Sequence, residues 1–129
     1  MGTLSGKVAM VTGCGGERGV GRAIARRLAA DGADLVLTDV APTGTRVVGS
    51  KPVSQWGGLE AVAAEIRAAG QRAVTARLDI RSSRQIHDGI AKAVETYGRI
   101  DILVNNAAAP PGADRVPVVE LSEEAWNGV

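Results

Sequence analysis

The residues of this chain that could do chemistry form one glycine cluster and a few isolated polar positions. Gly13-Cys14-Gly15-Gly16-Glu17-Arg18-Gly19-Val20-Gly21 follows the apolar run Val8-Ala9-Met10-Val11-Thr12 and precedes a segment rich in Ala and Arg. Glycine removes the Cβ atoms that would keep a ligand's phosphates from backbone N–H groups. A helix opening at the same point adds unsatisfied donors and the positive end of its dipole. The chemistry suggested is the binding of a phosphorylated ligand. Cys14 is the only cysteine, so an internal disulfide and a thiolate metal cluster are both excluded. Cys14 reads as a small filler in the turn, with a thiol activated by the helix N-terminus as the alternative. His87, the only histidine, lies among polar residues of a predicted helix and reads as solvated.

Positioning such a turn requires a strand before it and a helix after it. Lys7 to Thr12 is near-continuously apolar, as a strand buried on both faces must be. Val20, Ile24 and Leu28 then recur at four-residue spacing, predicting a helix that Gly32 stops. Leu35 to Thr38 is a second strand, ending in Asp39. An acidic residue about 20 positions past such glycines stands at the tip of the second strand, where it accepts hydrogen bonds from adenosine ribose hydroxyls. Val40 to Gly58 has no period and reads as a long loop with no assignable chemistry. Leu59, Val62, Ala63 and Ile66 predict a second helix closed by Gly70, and Ala73 to Leu78 a third strand ending in Asp79-Ile80. Ser82 and Gln85 form a capping box for a third helix, with Ile86, Ile90 and Val94 on its apolar face, running to Tyr97 and Gly98. Ile100 to Val104 is the fourth strand. Asn105-Asn106-Ala107-Ala108 follows it, then a loop with Pro110-Pro111-Gly112, and Ser122-Glu123-Glu124 opens a short fourth helix.

Strands alternating with helices predict right-handed crossovers and a doubly wound parallel α/β sheet of Rossmann type. The expected strand order is 3-2-1-4, with the ligand crevice at the carboxyl ends of strands one and four, where the winding reverses. The chain has 129 residues, 45% hydrophobic and 22% charged, which is one domain's length and a globular composition. A formal net charge of +1 and scattered arginines offer no footprint for nucleic acid or an anionic membrane. No signal-like N-terminal segment and no apolar run near ~18 residues is found, so a cytoplasmic protein is expected.

In order along the chain, Thr12-Gly13 with Gly19-Val20-Gly21, Asp39, Asp79-Ile80 and Asn105-Asn106-Ala107 resemble the short-chain dehydrogenase/reductase family. Gly6-Lys7-Val8 and Gly98-Arg99-Ile100-Asp101-Ile102-Leu103-Val104 are similar to it as well. The resemblance covers nearly the whole chain and corresponds to the N-terminal half of a member. It implies a dinucleotide-binding domain over 1–129, incomplete at its C-terminus, in an enzyme moving hydride between a nicotinamide cofactor and a carbonyl or alcohol substrate. Backbone groups around Gly13 to Gly21 would then hold the pyrophosphate, and Asp39 the adenosine ribose. Asp79 and Ile80 would flank the adenine. Asn105, Asn106 and Ala107 would line the crevice near the nicotinamide-side ribose, Asn105 also tying the sheet together. Asp39 implies NAD, while Arg18 before Gly19 could reach the 2′-phosphate of NADP. A homo-oligomer is implied for the complete enzyme.

The sequence departs from the family in three ways. Cys14 to Arg18 stand between Gly13 and Gly19 where the family has three residues, which implies a wider phosphate loop. Ala108 replaces the usual glycine after Asn-Asn-Ala. The family's Ser, Tyr and Lys have no counterpart: the only tyrosine is Tyr97, and four residues on stands Asp101. Trp126-Asn127-Gly128-Val129 resembles the helix just before the family's catalytic Asn, and Asn127 is not given that role. The catalytic positions are expected beyond Val129, and the 129-residue chain by itself is expected to be inactive. The alternative is a stand-alone nucleotide-binding or regulatory module without catalysis.

Overall fold

The computed structural model describes residues 2–43, 55–109 and 112–128. Four strands, β1 (Val8–Val11), β2 (Asp34–Asp39), β3 (Ala73–Arg77) and β4 (Ile102–Val104), alternate with α1 (Val20–Ala30), α2 (Leu59–Ala68) and α3 (Ser83–Tyr97). A 3₁₀ turn at Val118–Glu120 and the short helix α4 (Glu123–Asn127) follow β4. All pairings are parallel and the order is β3-β2-β1-β4, as the alternation predicts.

Period-two alternation divides the core between the two faces of the sheet. Ala9, Val11, Leu35 and Leu37 pack with Ala25 and Ala29 of α1 and with Leu59, Val62, Ala63 and Ile66 of α2. Val8, Met10 and Val36 pack with Leu78, with Ala93 and Ile86 of α3, and with Tyr97. Helices therefore cover both faces. The chain steps outward from β1 to β3, then α3 carries it back across the sheet to β4 on the other side of β1. Such a reversal leaves a crevice outside the carboxyl ends of β1 and β4.

The structure corrects several local details, among them the face of α3, where Gly89 and Ala93 are buried and the predicted Ile90 and Val94 are exposed. The deepest face of α1 is Gly21, Ala25 and Ala29, one position round from the predicted Val20, Ile24 and Leu28, and Val20 is 69% exposed. Small residues stand at the line of closest approach, and larger ones flank it. Ser82 caps α3 by accepting from the Gln85 N–H at 3.3 Å, but the Gln85 side chain does not complete the box: its Oε1 accepts from the Asp79 N–H at 2.8 Å. β4 begins at Ile102: the Asp101 N–H still donates to the Val8 carbonyl at 2.9 Å, but the Val8 N–H goes to the Asp101 carboxylate at 2.9 Å and not to a strand carbonyl. Within the predicted loop from Val40 to Gly58, residues 44–54 lie outside the described residues, as do residues 110–111. Among the described residues no helix is long and apolar enough to cross a membrane.

Candidate functional site

Thr12, directly after β1, joins the two strand ends that form the crevice. Its Oγ1 donates to the Val104 carbonyl at 3.3 Å and accepts from the N–H groups of Asn106 and Ala107 at 3.1 and 3.0 Å. Asn106 returns its Nδ2 to the carbonyls of Thr12 at 2.9 Å and Gly13 at 3.1 Å. The sheet-tying contacts expected of Asn105 are thus made by Asn106, while Asn105 is exposed. The strand pleat decides between these two identical residue types. Gly13 has φ +65°, and a Cβ there would stand 2.7 Å from Ala107 Cα, so the two loops meet only because this position is glycine. Gly21 is as crowded, with a Cβ reaching 2.6 Å from Asn106 Nδ2.

Between those glycines the turn is fastened from several sides. The Cys14 N–H donates to the Thr38 carbonyl at 3.1 Å, and Gly15 N–H donates to Asp39 Oδ2 at 2.9 Å. Asp39 Oδ1 also accepts from the Ala41 N–H at 3.2 Å, and the residue is only 5% exposed. Cys14 is buried, and burial pushes its thiol up to about 12, the reverse of a thiolate activated by a helix dipole. Gly19 precedes α1 with no side-chain cap, and no acidic residue stands in the helix's first turn. That end of α1 keeps its unsatisfied donors and its positive dipole end for an anion.

Across the crevice, Asp79 follows β3. The backbone N–H and Nε of Arg81 donate to Asp79 Oδ1 at 2.9 and 3.0 Å, and its Nη2 donates to Oδ2 at 2.8 Å. These bonds hold the Asp79 carboxyl down to about 2, so it is ionised at any physiological pH. The cavity enclosed is about 390 Å³, within the roughly 300–1,000 Å³ of small-molecule sites.

Gly13, Gly19, Asp39, Asp79, Ile80, Asn106 and Ala107 all line it, together with Gly16, Arg81 and Ala108. Arg18, Val20, Gly21 and Asn105 are not among its lining residues: Gly21 is buried behind Asn106, and the other three are exposed. Sequence reasoning missed Thr12 as the hub, Arg81 as the partner of Asp79, and Trp56, whose Nε1 donates to the Gly15 carbonyl at 2.8 Å. Arg81 had a local signal, because an Asp two residues before an N–H donor commonly closes a turn onto it. Trp56 had none.

Comparison with known proteins gives one family. The short chain dehydrogenase family model matches residues 7–129. Hydroxysteroid dehydrogenase-like protein 2 of Danio rerio is 41% identical over 108 residues, 84% of this chain and 24% of that protein. Among solved structures, carveol dehydrogenase from Mycobacterium avium in complex with NAD superposes with a TM-score of 0.78 at 28% identity, covering 99% of this chain and 44% of that one. A metagenomic short-chain oxidoreductase in complex with NADP gives a TM-score of 0.73 at 35% identity, covering 98% of this chain and 49% of the other. The chain spans about a quarter of the length of the first of these relatives and under half that of the two solved structures.

Proposed function

Because this chain belongs to the short-chain dehydrogenase family, we propose that it binds a nicotinamide dinucleotide in the cavity at the carboxyl edge of the sheet. The protein carrying it would be an oxidoreductase acting on a carbonyl or alcohol substrate. The observation that carries this reading is convergence. The glycine turn, Asp39, Asp79-Ile80 and Asn106-Ala107 come from four separate strand ends and line one cavity.

The residues fit the cofactor. Gly13, Gly16 and Gly19 present bare backbone to the cavity, and α1 opens without a side-chain cap or an acidic first turn, which suits a pyrophosphate. On this reading the backbone of the Gly13 to Gly21 turn, Val20 included, holds the pyrophosphate, and Asp39 the adenosine ribose. Asp79 and Ile80 flank the adenine, while Asn106 and Ala107 take the nicotinamide-side ribose, Asn105 standing outside the lining. The bound dinucleotide supplies the hydride acceptor or donor.

NAD is the proposed cofactor. A carboxylate ~4 Å from a 2′-phosphate costs on the order of 4 kcal/mol per unit charge at an effective dielectric of about 20. Arg18, exposed just before Gly19, is the residue through which NADP could still be accepted. Calorimetric titration of the intact protein with NADH and NADPH tests both points. NADH should bind at least roughly tenfold tighter, and Asp39→Asn, which keeps an acceptor for Gly15 while removing the charge, should close most of that gap. Binding of neither dinucleotide overturns the function, and an unchanged preference in the variant overturns the role of Asp39.

A polypeptide confined to these 129 residues is proposed to transfer no hydride. Tyr97 donates to the Leu35 carbonyl at 3.3 Å, its ring lies 4.7 Å beneath the Arg72 guanidinium, and burial raises its phenol pKa. It is no general acid for this cavity. Nicotinamide absorbance with a panel of ketones and alcohols checks the proposal, and turnover above background would refute it.

A further inference from the structure

Five residues, Cys14 to Arg18, separate Gly13 from Gly19, and Gly15 and Gly16 among them would make the turn loose. A loose loop must be ordered when a ligand binds, and that ordering cost is subtracted from affinity. Here the loop is already held. Both backbone groups of Gly15 are engaged, its N–H by Asp39 at 2.9 Å and its carbonyl by the Trp56 indole at 2.8 Å. Two residues on, the Glu17 carbonyl accepts from Arg22 Nη1 at 2.6 Å. Arg22 also lies over the Trp56 ring, 4.7 Å from its centroid, and its Nε donates to Glu65 Oε2 of α2 at 3.1 Å. Glu65, Arg22 and Trp56 therefore form a strut from α2 to the back of the turn. Gly16, the next residue, lines the cavity on the other side.

We infer that Trp56 is a positioning residue for the pyrophosphate of the dinucleotide, acting through Gly15 to hold the glycine turn in its binding shape. The inference rests on the proposed function and adds to it a residue outside the cavity lining. Trp56 does not line the cavity. It fixes where the Gly16 backbone stands, so its effect should fall on ligands with a diphosphate and spare those without one.

The test is calorimetric titration of the intact protein and its Trp56→Phe variant with NAD, ADP-ribose and adenosine. Phenylalanine keeps an aromatic ring at this position and removes the indole N–H together with its fused five-membered ring. Losing one hydrogen bond that preorganises the site should raise the dissociation constants of NAD and ADP-ribose about 3–10-fold and leave that of adenosine within roughly twofold. Equal weakening of all three would mean a general distortion and overturn the inference. NAD binding unchanged in the variant overturns the inference alone, whereas no NAD binding in the unaltered protein overturns the proposed function and the inference with it. A second measurement does not depend on the variant's folding. The sequence has two tryptophans, and in a Trp126→Phe background excited at the red edge, where Tyr97 does not absorb, Trp56 is the only tryptophan that emits. Its emission should be the same before and after saturation with ADP-ribose, because the turn is held before the ligand arrives, and a shift on binding would show that the ligand orders the turn and overturn the inference.

Discussion

Two titratable groups, Asp79 in the cavity lining and Cys14 buried in the glycine turn, are set by their immediate neighbours. Asp79 is held at about 2 chiefly by the Arg81 side chain and also by its N–H, so a carboxyl titration followed by NMR should move up toward the ordinary range in Arg81→Gln. A carboxylate depressed in the folded state contributes stability above its unfolded pKa, and that contribution disappears as pH falls through the folded value of about 2. Between pH ~5 and 8, dinucleotide binding should therefore show no step from Asp79. A step in that window that vanishes with Asp79→Asn would contradict the assignment. Cys14 moves the other way. With 1% exposure and a thiol raised to about 12, it should resist iodoacetamide in the native state at pH 8 and react only on unfolding. Labelling as fast as a free thiol would revive the activated-thiol alternative. Neither environment is written in the residue itself, since the burial of Cys14 depends on Val11 and Thr38, whose carbonyls its thiol faces at 3.4 and 3.6 Å.

Helix α1 shows what periodicity determines and what it leaves open. Four-residue spacing located the helix correctly, but the apolar arc spans both Val20-Ile24-Leu28 and Gly21-Ala25-Ala29. The choice between these neighbouring stripes is made by how closely the helix approaches β1 and Asn106. A Cβ on Gly21 would meet Asn106 Nδ2 at 2.6 Å and Cys14 Cα at 2.9 Å, so Gly21→Ala should destabilise the protein by about 1–3 kcal/mol. Val20→Ala, at a position 69% exposed, should stay within about 0.5 kcal/mol of the unaltered protein. Urea denaturation of the two variants makes the comparison, and a larger loss at Val20 would restore the predicted face. At α3 the cap is local and was readable: Ser82 accepts from Gln85 N–H, and Ser82→Ala should cost about 1 kcal/mol.

At the scale of the whole molecule, β4 forms one edge of the four-stranded sheet, with Leu103 57% exposed, and the segment after it presents Val118 at 80%, Val119 at 89% and Trp126 at 68%. An apolar strand edge is a template for association, so a polypeptide of these 129 residues expressed by itself should self-associate. Sedimentation checks this, and a monomer that unfolds cooperatively would defeat it. The sequence alone determined the strand and helix alternation, the order β3-β2-β1-β4 and the placing of Asp39 and Asp79 at strand tips. The alternation and the strand tips follow from period, turn chemistry and the handedness of crossovers, which act over a few residues or apply to all chains, and the order from the arrangement that doubly wound sheets share. Tertiary structure decided that Asn106 and not Asn105 ties the crevice, that Asp39 grips Gly15, and that Trp56 braces the turn. Those contacts join residues far apart in the chain, 93 positions for Asn106 and Gly13 and 41 for Trp56 and Gly15. No local pattern records such pairs, because each exists only once packing has brought two strand ends or a helix and a loop within hydrogen-bonding distance.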